Sequence, residues 1–261
     1  MITLNVAAFD THIVESGTDR AAHSLWCQLF VGLGVLLANG LAWGSTSGLN
    51  NIPTTETVPK SILVLQWWGN FAGGEHPDQF VGFKYGLFKD VEIGVDWKAG
   101  GDPHTHATLQ AKYAFDVKDD LLRAVIGVAN VSDNSRRTGE VFPYAAASLD
   151  LKVVNLHFGY APQPDNEAFF GGIDKAVSFL DRNLLLRFDC IHINDRQDML
   201  FSGGFLYDLA PQVKSDEASQ TGLAEILGKI TANMILESWV SKPSTGDKET
   251  YTVKLNYVIP L

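Results

Sequence analysis

Asp90-Val91-Glu92-Ile93-Gly94-Val95-Asp96-Trp97-Lys98 is the stretch that decides how this chain folds. Val91, Ile93, Val95 and Trp97 fall at every second position, with Asp90, Glu92, Gly94, Asp96 and Lys98 between them. Side chains of a strand alternate between its two faces, so the stretch has one apolar face backed by a charged one. Outward from it, the same alternation recurs near 61–71, 78–87, 90–99, 105–115, 121–131, 139–148, 151–161, 167–178, 184–193, 198–207, 229–241 and 249–260. That is about twelve strands, an even number, as a single-chain bacterial membrane barrel requires.

The connections alternate too. Phe88-Lys89, 116–120, Leu149-Asp150 and 179–182 are tight. Between them come the more polar 72–77, 100–104, 132–137, 162–166, 194–197 and 242–249. Membrane barrels have short periplasmic turns and longer outer loops, so this parity puts both chain ends of the barrel in the periplasm. The stretch 208–228 breaks the rule: either Glu217 to Leu227 within it forms a short periplasmic helix, or the strand count is off by a hairpin. Val81, Phe83, Tyr85 and Leu87 line one face of the second strand, and Tyr251, Val253, Leu255, Tyr257 and Ile259 one face of the twelfth. Trp67, Trp68, Trp97, Trp239, Tyr160, Tyr207 and Tyr257 lie near strand ends, where amphipathic rings suit lipid headgroups. A soluble barrel would need its apolar face inside and fewer strands.

Leu25 to Leu41 is rich in Leu, Val, Gly and Ala, and Ala42-Trp43-Gly44 supplies small residues for a signal peptidase. Residues 1–44 are therefore expected to be an N-terminal extension with a cleaved signal peptide, 45–60 a periplasmic lead-in, and 61–261 the barrel. Removing 1–44 takes away three acids and one base and changes the net charge from −10 to −8. Such an acidic chain gives no reason to expect a nucleic-acid partner. Cys27 falls in the leader, which leaves Cys190 alone in the mature chain with no intramolecular disulfide.

Ser47-Gly48-Leu49-Asn50-Asn51-Ile52-Pro53-Thr54-Thr55-Glu56-Thr57-Val58-Pro59 resembles the opening Gly-Leu-x-x-x-Pro-Thr motif of the YjbH-like outer-membrane barrels associated with exopolysaccharide genes. Phe169-Phe170-Gly171-Gly172-Ile173-Asp174 and Gly203-Gly204-Phe205-Leu206-Tyr207 are similar to a strand pair of that family. The resemblance implies an outer-membrane barrel in a polysaccharide-export setting, with no catalytic residues to carry over. The chain is short for that family. It ends in Leu261, where outer-membrane proteins usually place Phe or Trp for the barrel-assembly machinery.

Residue chemistry adds little that is catalytic. His76, His104 and His106 lie on outer loops at spacings that match no closed zinc site, and they read as surface histidines. A Ser–His hydrolase needs nucleophile, base and orienting group in contact, and nothing local marks a nucleophile near His157 or His192. No catalytic residue, cofactor or metal is assigned. The inward face is more telling, with Lys84, Glu92, Asp96, Lys98, Lys112, Lys152, Arg187, Asp189, Glu237 and Lys254 as expected lumen-lining residues. Charges of both signs suit a narrow aqueous pore of weak selectivity, or pairing that closes the lumen. The expectation is a small outer-membrane barrel of a Gram-negative-type bacterium, surrounded by outer-membrane lipid. It would act as a passive or export-associated conduit for polysaccharide or small solutes. A plugged structural barrel anchoring an envelope assembly is the alternative, and an outer-membrane hydrolase the third reading.

Overall fold

The structure, a computed structural model, describes residues 48–72, 77–99, 107–133, 139–162, 167–180, 182–193, 198–209, 233–246 and 248–261. Among them twelve strands form one closed antiparallel barrel. They are β1 (Ile62–Ala72), β2 (Asp78–Phe88), β3 (Val91–Ala99), β4 (Thr108–Lys118), β5 (Leu122–Val131), β6 (Phe142–Asp150), β7 (Asn155–Ala161), β8 (Ala168–Phe179), β9 (Arg182–Ile193), β10 (Asp198–Asp208), β11 (Met234–Pro243) and β12 (Thr250–Pro260). Each strand pairs with its sequence neighbours, and β1 closes the ring on β12 from Ile62↔Pro260 to Ala72↔Thr250. Closure leaves no sheet edge, the condition for backbone that crosses hydrocarbon.

The alternation sets the faces. In β3, Glu92 and Asp96 are 2% and 3% exposed, while Ile93 and Trp97 are 36% and 39% exposed. Leu65, Trp67, Leu109, Tyr113, Ile126, Phe158, Phe169 and Leu186 join the outward apolar band, while charged Lys84, Lys112, Arg187 and Lys254 are buried inside. Apolar outside and charged inside is the inverse of a soluble barrel and is the pattern of a wall set in lipid. Tight reversals join alternate strand pairs. They turn on left-handed Asp90, Asp120, Lys152 and Leu180, at φ of 62°, 54°, 66° and 51°.

Several boundaries differ from the sequence expectation. β4 spans 108–118 where 105–115 was expected, because the Arg123 Nε–Asp116 Oδ1 pair at 2.9 Å carries the β4–β5 hairpin past the apolar band. β6, β7 and β11 likewise begin later than the alternation suggests. Leu151 to Val154 is a turn, closed by Leu151 N–H donating to Val154 O at 3.0 Å, and its apolar residues point outward and mimic a strand start. The expected signal peptide, the loop residues His76, His104 and His106, and the helix expected at 217–227 all lie outside the described residues.

Two of the tryptophans expected in headgroup zones face the interior instead. Trp68 and Trp239 are 5% and 8% exposed because they share parity with inward Gln66 and Glu237. Trp68 stacks on Phe80 with ring centroids 5.2 Å apart.

Candidate functional site

The barrel interior is built from cross-strand pairs. On one arc, Glu237 of β11 stands directly opposite Lys254 of β12, and the ammonium lies 3.3 Å from Glu237 Oε1. Arg187 Nη1 donates to Glu237 Oε2 at 2.6 Å, and Asn256 Nδ2 donates to Oε1 at 2.6 Å. Gln66 Nε2 donates to Asn256 Oδ1 at 2.8 Å and joins β1 to this group. Further round, Glu92 faces Lys112 across β3–β4, with Lys84 and Lys112 each 3.9 Å away. Gln110 Nε2 donates to Asp96 Oδ2 at 2.7 Å. Buried charges persist when they have partners of opposite sign, and Glu92 and Glu237 are so paired here, while Asp96 Oδ1 and Arg187 Nε and Nη2 have no hydrogen-bond partner among the described residues.

The opposite arc is mostly apolar. Ala114, Val125, Phe142, Tyr144, Ala146, Ala161, Ala168, Phe170 and Ile191, from β4 to β9, form one buried cluster. Phe142 lies 6.0 Å from Tyr144 and 6.5 Å from Phe170 between ring centroids. At the edge of this arc sits a polar chain that the sequence reading missed. Ser148 Oγ is 2.7 Å from His157 Nδ1, and His157 Nε2 is 2.8 Å from Asp174 Oδ2. Asn155 Nδ2 donates to Asp174 Oδ1 at 2.9 Å. With Asp174 as acceptor the Nε2 proton is fixed, and a neutral ring leaves Nδ1 to accept the Ser148 hydroxyl proton. The order serine–histidine–carboxylate is that of a hydrolase. Here, however, the hydroxyl oxygen also accepts the Thr55 N–H at 3.4 Å, so it faces an inserted stretch of this same chain.

That stretch is the main finding inside the barrel. Of residues 45–60, expected as a periplasmic lead-in, 48–58 lie within the wall, while Pro59 and Lys60 are exposed. Leu49, Asn50, Ile52, Thr54, Thr55 and Val58 are at most 3% exposed. Leu49 and Ile52 belong to the apolar cluster. Asn51 N–H donates to Asp189 Oδ2 at 3.0 Å, and its amide Nδ2 reaches Ser241 Oγ at 2.9 Å and also Ser202 Oγ. Val58 N–H donates to Glu92 Oε2 at 2.9 Å. Lys112 Nζ donates to the Thr54 carbonyl at 3.3 Å and to the Glu56 carbonyl. Glycines make room: a Cβ on Gly86 would collide with the Pro59 and Val58 carbonyl oxygens, and one on Gly172 with Leu49 Cδ1. Lys60 pairs with Gly86 as a parallel bridge before the chain enters β1.

Of the ten residues expected along the lumen, Lys84, Glu92, Asp96, Lys112, Arg187, Asp189, Glu237 and Lys254 are buried inside the barrel. Lys98 sits at the strand end, half exposed, 2.5 Å from Asp78. Lys152 is in the β6–β7 turn, paired with Asp150 at 3.1 Å in the open. His192 lies on β9 away from the Ser148 group. Among the described residues no group of three or more metal-ligating side chains forms a site.

A closed antiparallel barrel with an apolar belt and a charged interior is an outer-membrane β-barrel, and this class belongs in the outer membrane of a Gram-negative-type bacterium. A KdgM porin in complex with disordered oligogalacturonate is similar to it. The TM-score is 0.54 at 12% identity, over 74% of this chain and 98% of that one. A second KdgM porin structure gives 0.53 at 13% identity over 74% and 98%. The Acinetobacter baumannii outer membrane protein Omp33 gives 0.42 at 8% identity over 76% and 98%. No family model matches the chain, and no curated protein matches it. At these identities the likeness is one of fold, and what it supports of the YjbH-like resemblance is the outer-membrane barrel kind.

Proposed function

We propose that the protein is a passive outer-membrane channel whose lumen is closed by its own residues 48–60. The observation that carries this reading is that the segment joins the wall through side-chain hydrogen bonds and apolar packing, with only the bridge at Lys60 continuing a strand ladder. Such contacts can be released without opening the barrel, whose own closure rests on the β1–β12 ladder. The porin-like fold supports a channel as well.

The wall revealed by release carries Lys84, Lys112, Arg187 and Lys254 against Glu92, Asp96, Asp174, Asp189 and Glu237. Opposite signs at close spacing cancel over distance, so charge preference is weak and small neutral solutes pass as readily as ions. An oligosaccharide is the class of larger solute to test. The KdgM structure was obtained with oligogalacturonate, the motif at 47–59 resembles exopolysaccharide-associated barrels, and Trp68, Phe80, Tyr144 and Phe170 line the interior.

Planar-bilayer recording tests the channel. The full chain is expected to stay closed most of the time, with brief steps, and a chain whose segment has been dislodged is expected to conduct steadily. Reversal potentials in a salt gradient should lie near zero. Folded protein that never conducts, dislodged segment included, would favour the structural barrel, a reading to which the burial of Leu49, Ile52, Thr54, Thr55 and Val58 inside the wall already lends weight.

A further inference from the structure

The chemistry of the wall groups that touch residues 54–60 points to more than a stopper. The segment bends at Thr55, where the Glu56 N–H donates to Thr54 Oγ1 at 3.4 Å, and then runs on to the bridge at Lys60. The carbonyls of Thr54 and Glu56 and the N–H of Val58 all turn toward the β3–β4 pair, where Lys112 takes both carbonyls and Glu92 takes the N–H. The N–H of Thr55 turns the other way, to Ser148 on β6. Lys112 and Glu92 stand directly opposite each other across their ladder, so a donor and an acceptor are presented side by side at strand spacing. None of these contacts reads a side chain. Gly86 adds the space for a second backbone to lie against β2, and Ser61 N–H donates to its carbonyl at 2.8 Å. Ser148 is held in place by His157, and His157 by Asp174 and through it Asn155, so the acceptor for Thr55 is fixed by a chain of three wall residues.

We infer that the barrel interior is a binding track for a polypeptide, read through its main chain by Lys112, Glu92 and Ser148, with an apolar foot where Leu49 and Ile52 now sit. Residues 48–60 occupy it in cis, and a separate peptide of the same chemistry occupies it in trans when they leave. The inference rests on the reading that the segment can be released. A saccharide offers hydroxyls at no regular two-residue alternation of donor and acceptor, so the pairing of Lys112 and Glu92 suits a peptide backbone better.

The test uses the full chain with the cis segment weakened by Ile52→Asp, and, as a second variant, by Leu49→Asp. Protease cleavage within 48–60 reports release. Isothermal titration in detergent micelles then measures binding of a synthetic peptide of residues 45–60, which needs no conductance and so separates failure of the track from failure of the channel. Both variants are expected to bind the peptide, and the wild-type chain to bind it at least tenfold more weakly because its track is filled. N-methylation of the peptide at Thr55 and Val58 removes two main-chain donors with no change of side chain, and is expected to weaken binding at least tenfold. A Thr55→Ser, Thr57→Ser peptide should bind within threefold of the original. No binding to a released variant, or equal binding of the N-methylated peptide, would overturn the track. So would a neutral oligosaccharide that displaces the peptide at equal concentration. Persistent protection of the segment in both variants would overturn it too, since the track would then have no vacant state.

Discussion

The two halves of the inserted segment are held differently, the first by apolar packing together with the Asn51 bonds to Asp189, Ser202 and Ser241, the second by its main chain alone. Gly48 to Pro53 is curled, with Leu49 N–H donating to Ile52 O at 3.0 Å, and it puts Leu49 and Ile52 into the apolar arc. Thr54 to Lys60 bends at Thr55 and then runs extended to the Lys60 bridge, and it is tied by its main chain to Lys112, Glu92 and Ser148. Burying two aliphatic side chains is worth about 3–6 kcal/mol. Hydrogen bonds to charged partners are worth about 1.5–3 kcal/mol each, a similar gross total. The net is unequal, because Lys112 and Glu92 retain each other when the segment leaves, whereas the apolar arc would then face water. The curled half therefore supplies most of the hold, and the extended half sets where the chain lies.

The largest expected effect follows directly. Ile52→Asp places a carboxylate among Phe142, Phe170 and Ile191 with no basic side chain in that cluster. The lost aliphatic packing is about 2–5 kcal/mol before the cost of desolvating the charge is added. The segment should leave, giving steady conductance and rapid proteolysis within 48–60, while heat-modifiable migration shows the barrel still folded. A segment that stays protected would mean the polar half is the stronger anchor.

Gly86→Val comes next. Its added carbons meet main-chain oxygens of Val58 and Pro59, which cannot swing aside as a side chain can. The extended half should lift while Leu49 and Ile52 stay seated. The expected record is flickering, partial conductance, with cleavage confined to the end of the segment near Pro59. Complete opening by this substitution alone would show that the two halves release as one unit.

How much of this was legible in the sequence follows from the range of the interactions. Strand faces are local, since period two is visible in any ten residues, and so the barrel, its closure partners and the inward parity of Lys84, Glu92, Arg187 and Glu237 could be read. The course of residues 48–60 could not. Leu49, Ile52 and Val58 are spaced three and six apart, a set that fits neither a strand nor a helix period, and Leu49 and Ile52 are buried by walls more than sixty residues away, such as Phe142 and Phe170, while Val58 lies against Gly86 and Glu92. The Ser148–His157–Asp174 group was hidden for a related reason. His157 sits opposite Ser148 in one ladder and beside Asp174 in the next, and both registers had to be known to bring the three together. Lys152 went astray because its turn carries outward Leu151 and Val153, which imitate a strand.

A smaller effect isolates one hook of the extended half. Lys112→Met removes the donor to the Thr54 and Glu56 carbonyls, leaving Glu92 with Lys84 at 3.9 Å and with the Val58 N–H. The loss should be on the order of 1.4 kcal/mol, or tenfold in the open-to-closed ratio. Single-channel open probability checks this directly.

Salt should do least, and its size tells which half governs closure. Raising the ionic strength from 0.1 to 1 M shortens the screening length from about 10 to about 3 Å. The contacts of Lys112 and Glu92 with the segment are of hydrogen-bond length and buried, so little electrolyte lies between the partners, and the packing of Leu49 and Ile52 carries no charge at all. Open probability of the wild-type chain should therefore rise by less than about threefold across this range, a shift below about 0.7 kcal/mol. In Ile52→Asp the introduced carboxylate is itself a charge in the lumen, so the comparison belongs to Lys112→Met, where one of the two charged anchors is gone and the salt response should shrink further. A rise of a hundredfold in the wild-type chain, lost in Lys112→Met, would reverse the ranking of the two halves and make the charged arc the principal latch.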